Sequence, residues 1–100
     1  MTEMEKLEIM LTTMNVPFEI TDHWSGSKQI WYPSCEDKIC DVICFYGSYG
    51  YERGLLEIMG LVDEEETGDS VEGWLTAEEV FERIWDDYIT ACDEDDDNEE

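Results

Sequence analysis

From Met4 to Met14 the apolar positions Met4, Leu7, Leu11 and Met14 recur at intervals of three and four, with Met10 beside them. That is the period of one helix face. Thr2 stands at an N-cap position, and Glu5, three residues on, completes a capping box. Glu3 and Glu5 also place negative charge at the positive end of the helix dipole. Asn15, with Pro17 two residues later, ends the element.

Strand-like runs follow. Residues 18–20 and 29–32 flank the turn-rich Trp24-Ser25-Gly26-Ser27-Lys28, a hairpin signal with a loop longer than two residues. Pro33-Ser34 stops the second run. Residues 38–46 read as a third strand with Cys40, Val42, Cys44 and Tyr46 on one face and Asp41, Ile43 and Phe45 on the other. Residues 54–60, bounded by glycines, predict a fourth strand, although a short apolar run also fits a helix. Residues 71–75 read as a short connector, possible as extended chain. Thr76 then caps a second helix, Glu79 completes its capping box, and Leu75 with Val80 supplies a hydrophobic staple. Val80, Phe81, Ile84, Trp85 and Tyr88 carry a helical apolar stripe to about Thr90. The order is α-β-β-β-(β)-α. The predicted fold is α+β: an antiparallel sheet of three to four strands with an N-terminal and a C-terminal helix on one face, the usual two-layer solution.

Composition and charge narrow the function. The chain has 100 residues, enough for one domain, with 28 acidic and 5 basic residues and a net charge of −23. Seven of the acids fall in residues 93–100, which predicts a disordered acidic tail behind a domain of residues 1–92 that still carries −16. A surface this acidic excludes a conventional nucleic-acid binder and does not suit an anionic membrane. No apolar run approaches the ~18 residues of a bilayer span, and the acidic start does not read as a secretory signal. The expected location is the cytoplasm, with Cys35, Cys40, Cys44 and Cys92 as reduced thiols.

Candidate chemistry is sparse. The cysteine spacing lacks the paired knuckles of a structural zinc site. Cys40 and Cys44 on one straight strand stand ~13 Å apart, too far for one metal. His23 is the only histidine, and no nucleophile elbow, phosphate loop or metalloprotease motif accompanies it. An EF-hand register from Asp63 accommodates Glu65, Thr67 and Gly68 but puts Trp74 where a bidentate Glu belongs. No catalytic residue, metal ligand or cofactor is therefore assigned.

Two stretches carry a resemblance. Cys40-Asp41-Val42-Ile43-Cys44 with Gly47-Ser48-Tyr49-Gly50-Tyr51 and Gly54-Leu55-Leu56-Glu57-Ile58-Met59-Gly60 is the first. Val71-Glu72-Gly73-Trp74-Leu75-Thr76-Ala77-Glu78-Glu79-Val80-Phe81-Glu82-Arg83-Ile84 is the second. Together they resemble small acidic proteins encoded by phages and prophages of Gram-positive bacteria. The resemblance implies an accessory protein acting on host machinery, with nothing catalytic.

The charge pattern then becomes the main functional signal. Glu78, Glu82 and Asp86 repeat at i, i+4 and i+8 on the second helix, in axial steps of about 6 Å. Glu79 and Asp87 widen the stripe, and the acidic run Asp63, Glu64, Glu65 and Glu66 adds to it. Duplex DNA carries a charge every ~3.4 Å along each strand, so the stripe is a coarse copy of phosphate density. The leading expectation is a non-enzymatic inhibitor that occupies the basic groove of a host nucleic-acid-binding protein. Candidate targets are a CRISPR effector nuclease, a restriction enzyme or a DNA-binding regulator. The alternative is a small interaction module whose charge only keeps it soluble and whose specificity lies in Tyr49 and Tyr51.

Overall fold

The computed structural model describes residues 1–23, 27–45, 47–62 and 71–98, with side chains as far as Cys92. Helix α1 (Glu3–Thr13) is followed by β1 (Glu19–Asp22), β2 (Lys28–Tyr32), β3 (Cys40–Ile43), β4 (Leu56–Met59) and β5 (Val71–Leu75), and the chain ends in α2 (Ala77–Asn98). The sheet has five strands in the order β1-β2-β3-β4-β5, every neighbouring pair antiparallel.

This is the α+β architecture expected, with the residue 54–60 run resolved as a strand and one strand more. The extra strand is β5, read from the sequence as a short connector that could also be extended chain. It holds to β4 through Leu56 opposite Leu75 and Met59 opposite Val71, with a shift of register between Leu56 and Ile58 that absorbs one extra residue. β3 is shorter than residues 38–46. The Ser48 hydroxyl donates to the Phe45 carbonyl at 2.7 Å and accepts from the Phe45 amide at 3.0 Å, turning the chain out of the sheet. Tyr46 and residues 24–26 of the expected hairpin loop lie outside the described residues.

Both capping boxes form. At α1 the Thr2 hydroxyl accepts from the Glu5 amide while the Glu5 carboxylate accepts from the Thr2 amide. At α2 the Thr76 hydroxyl accepts from the Glu79 amide at 3.2 Å and the Glu79 carboxylate accepts from the Thr76 amide at 3.0 Å. The backbone of α2 continues to Asn98, past the expected end near Thr90, because no proline or glycine interrupts residues 91–98. The expected disordered tail begins inside this helix, and the side chains that would test its independence are outside the description.

Among the described residues, only one face of the sheet is covered. Ile30, Tyr32, Cys40, Val42, Leu56, Ile58 and Leu75 point to the helices and meet Met4, Leu7 and Leu11 of α1 and Ala77, Val80 and Ile84 of α2. Burial of these side chains contributes about 1.5–3 kcal/mol for each large one. α1 packs on α2, and a Glu3 carboxylate oxygen accepts from the Ala77 amide at 2.8 Å, so the first helix caps the last. That bond, then Lys6 at 3.0 Å, holds the Glu3 carboxyl below its ordinary value of 4.5. Among the described residues no helix is long and apolar enough to cross a membrane.

Candidate functional site

The sequence-predicted stripe falls on the outer surface of α2. Val80 and Ile84 are buried against the sheet, so at 100° per residue the positions of Glu78, Glu82 and Asp86 turn away from it, and all three are exposed. Glu79 is exposed beside them, with its carboxylate engaged in the capping box. Glu79, Glu82 and Asp86 border a shallow depression with Arg83.

The disposition of the basic residues leaves this ridge negative. Lys6 pairs with Glu3 at 3.0 Å, Lys28 with Glu8 at 3.9 Å, Lys38 with Asp41 at 3.1 Å and Arg83 with Glu72 at 2.6 Å. Four of the five cations are thus engaged elsewhere. Arg83, beside the stripe, pairs with Glu72 and so ties α2 to β5. Among the described residues no ion pair reaches Glu78, Glu82 or Asp86. Asp87, also in the expected contact set, has a partner inside the fold. It is half-buried and accepts the Tyr32 hydroxyl at 2.9 Å, fixing α2 to β2. Burial and that neighbouring carboxylate push the Tyr32 phenol well above its ordinary range. Asp63, Glu64, Glu65 and Glu66 lie outside the described residues.

Tyr49 and Tyr51 belong to a second constellation, at one rim of the uncovered sheet face. Tyr49 is 54% exposed and stacks on Trp74, 59% exposed, with ring centroids 5.4 Å apart. Tyr51 and Arg53 line the same groove. The stack is held by backbone. The Tyr49 amide donates to the buried Glu57 carboxylate at 2.9 Å, and the Trp74 amide donates to the Tyr49 carbonyl at 3.3 Å. Gly73 lies against Tyr49 so closely that any Cβ there would overlap it. Trp74 sits at φ +55°, a left-handed conformation that costs a bulky residue about 1–2 kcal/mol. Nothing local in the sequence pairs Trp74 with Tyr49, so their stacking was not expected.

The uncovered face itself was not legible. Its two rows are Glu19, Trp31, Asp41, Met59 and Thr21, Gln29, Ile43, Glu57. Their side chains bond to one another. The His23 Nε2 contacts Gln29 Oε1 at 2.9 Å, the Gln29 amide donates to Asp41 Oδ2 at 2.7 Å, and the Trp31 indole donates to Thr21 at 3.0 Å. Lys38 Nζ stands 3.1 Å from Asp41 Oδ1, a charge contact without hydrogen-bond geometry, and also lies over the Trp31 ring at 5.5 Å. Asp41 is only 2% exposed on a face that no described element covers.

His23 is thus engaged with Thr21 and Gln29 and packs on Phe45 at 4.7 Å. Burial, reinforced by Asp41 and Asp87, pushes Cys40 up to about 12, and burial raises Cys35 and Cys44 as well. Among the described residues no three metal-ligating side chains converge. Comparison with protein-family models, with curated proteins and with solved structures finds no match.

Proposed function

We propose that this protein is a non-enzymatic, charge-mimicking ligand for the basic groove of a nucleic-acid-binding protein, with the outer ridge of α2 as its main contact. The observation that carries the reading is the exposed row Glu78, Glu82 and Asp86, without an ion pair among the described residues, while four of the five basic side chains are paired elsewhere. A ridge of carboxylates at ~6 Å steps on a rigid helix presents negative charge without the counterion atmosphere of DNA. It would meet Lys and Arg side chains in the groove in place of phosphates. Such binding is fast and steeply salt-dependent, because complementary potentials steer the encounter.

The resemblance to small phage-encoded acidic proteins supports the choice of host targets: a CRISPR effector nuclease, a restriction enzyme or a DNA-binding regulator in the bacterial cytoplasm. The test is a pull-down from bacterial lysate at low salt, with duplex DNA and NaCl as eluents. The expected partner binds DNA itself and is displaced by both. A partner that resists high salt and ignores duplex DNA would move the function to the Tyr49–Trp74 stack, whose exposed rings favour the interaction-module alternative.

A further inference from the structure

We infer that the groove formed by Tyr49, Tyr51, Arg53 and Trp74 is a docking site for an extended, proline-rich segment of a partner protein that carries a basic residue beside its prolines. The site stands apart from the α2 ridge and does not depend on what the ridge binds.

The groove is built into the backbone. It encloses about 400 Å3, within the usual range of ligand sites. Gly50 is buried beneath it, and a Cβ there would stand 2.9 Å from the Trp74 nitrogen. The Tyr49 amide is held by the buried Glu57 carboxylate. Trp74 is held at φ +55°, a conformation that glycine adopts with far less strain, yet its indole faces solvent. Strain kept at an exposed ring is the pattern of a ligand clamp. Tyr, Trp and Arg, the residue types richest in binding energy at interfaces, all line the groove.

The hydrogen-bonding inventory selects the occupant. The loop carbonyls are already used. The Ser48 carbonyl accepts the Tyr51 amide, Gly50 accepts those of Arg53 and Leu55, Tyr51 accepts that of Gly54, and Tyr49 accepts that of Trp74. Donors remain. Arg53 is exposed and, alone of the five basic residues, has no ion pair among the described residues. The Trp74 indole N–H, on a ring 59% exposed, has no acceptor among the described residues either. In a chain with 28 acidic residues, a groove rich in donors and poor in acceptors calls for a ligand that brings acceptors. An anion would bring them, but a net charge of −23 repels it. A proline-rich segment brings uncharged ones. Its extended backbone leaves every carbonyl free, and its prolines have no N–H to strand. Its rings pack on aromatic faces, as in other grooves that take polyproline II helices. The segment is already ordered before it docks, so little chain entropy is lost.

Charge sets the flank. Glu52 is exposed at the same groove, and the chain as a whole attracts cations. A Lys or Arg next to the prolines meets Glu52 and can lie over an aromatic face. An acidic residue in that position is repelled.

The test uses the full chain and a blocked peptide of about eight prolines ending in Arg, with the Trp74 indole N–H followed by NMR. None of its measurements involves the ridge, so the ridge reading stands or falls separately. The expected result is a saturable shift of that resonance, half complete at about 1 mM peptide or below. A Gly-Ser peptide of equal length ending in Arg should bind at least about tenfold more weakly, and so should a polyproline ending in Glu at ~0.05 M NaCl. Trp74→Gly removes the ring and suits the left-handed backbone, so the circular dichroism spectrum should be kept and calorimetric binding of the peptide lost. Arg53→Met removes donors from an exposed position, should weaken binding by about three- to tenfold, and serves if Trp74→Gly unfolds. No saturable shift up to about 5 mM overturns the inference. Equal binding of the Gly-Ser or the Glu-ended peptide overturns the occupant assigned here, because prolines or the basic flank are then not what is read. Binding that survives both substitutions overturns it too, because the contact then lies elsewhere.

Discussion

The outer surface of α2 and the open face of the sheet lie on opposite sides of one small core, and they treat charge in opposite ways. The helix surface exposes Glu78, Glu82 and Asp86, and among the described residues no ion pair reaches them. The sheet face gives its buried carboxylate Asp41 a lysine, a glutamine and near-complete cover. Both choices have an energetic sign. Like charges at i, i+4 destabilise a helix by ~0.2–0.5 kcal/mol per pair, so the ridge is tolerated against local stability. The sheet network removes charge from water only where partners meet it, which keeps the burial affordable.

The largest effect that sharpens this contrast is charge reversal on the ridge. Glu78, Glu82 and Asp86 changed together to Lys should weaken binding to a basic-groove partner by at least about 100-fold at low salt, at ~1.4 kcal/mol per decade, chiefly through the association rate. The buried Val80 and Ile84 are untouched, so circular dichroism should keep the helix. Replacement by Gln should give a smaller loss in the same direction. If the folded Lys variant binds as tightly as the parent across a salt series, the ridge is not the contact.

Gly73→Ala probes the other side. A methyl group there collides with Tyr49, and the strand or the loop must shift. Overpacking of this kind costs about 1–3 kcal/mol, and ~1 kcal/mol lowers the midpoint of a domain this size by about 4–8 °C. The Tyr49–Trp74 stack should loosen while ridge binding stays intact, read as a fall in thermal midpoint without a change in salt-sensitive affinity. Equal damage to both would mean that the two sides are not independent.

Tyr32→Phe tests the bridge between the layers. It removes the hydroxyl that Asp87 accepts. Asp87 is only half-buried and can take water instead, so the expected loss is ~1 kcal/mol in thermal unfolding. Loss of partner binding at unchanged stability would restore Asp87 to the contact surface.

The smallest effect is in acid. Glu3 and Glu5 are held below 4.5 by backbone amides of Ala77 and Thr2 in the folded state. A depressed folded value means that their contribution is full above the unfolded value and is lost as pH falls through the lowered one. The thermal midpoint should therefore decline below about pH 4.5, and Glu3→Gln should flatten that decline. An unchanged acid limb in Glu3→Gln would show that the Ala77 cap adds nothing to stability.

Much of the helix layer was legible in the sequence because its determinants are local. Thr2 with Glu5 and Thr76 with Glu79 fix where each helix starts, and a fixed start sets the phase that puts Glu82 and Asp86 outside. Asp87 has the right spacing as well, but its partner Tyr32 is 55 residues away, and no local rule finds it. The sheet face was illegible for the same reason. Trp31, Gln29, Asp41 and Thr21 come from three strands and meet only through register. β5 was left between connector and extended chain because five residues with a central glycine carry little strand signal, and the closeness of Tyr49 to Gly73 is visible only in three dimensions.

The bond between Glu3 and the Ala77 amide also bears on how the chain acquires its structure. The five strands form a meander in which every neighbour in the sheet is a neighbour in sequence, and such local pairings close quickly. The helix layer is the opposite: its closing contact spans 74 residues. Because Ala77, Val80 and Ile84 complete the core, a chain emerging from the ribosome holds an unfinished hydrophobic layer until α2 has left the exit tunnel. The acidic ridge, carried on that same helix, takes its outward orientation in the step that completes the core, so a nascent or truncated chain presents the charge without the geometry.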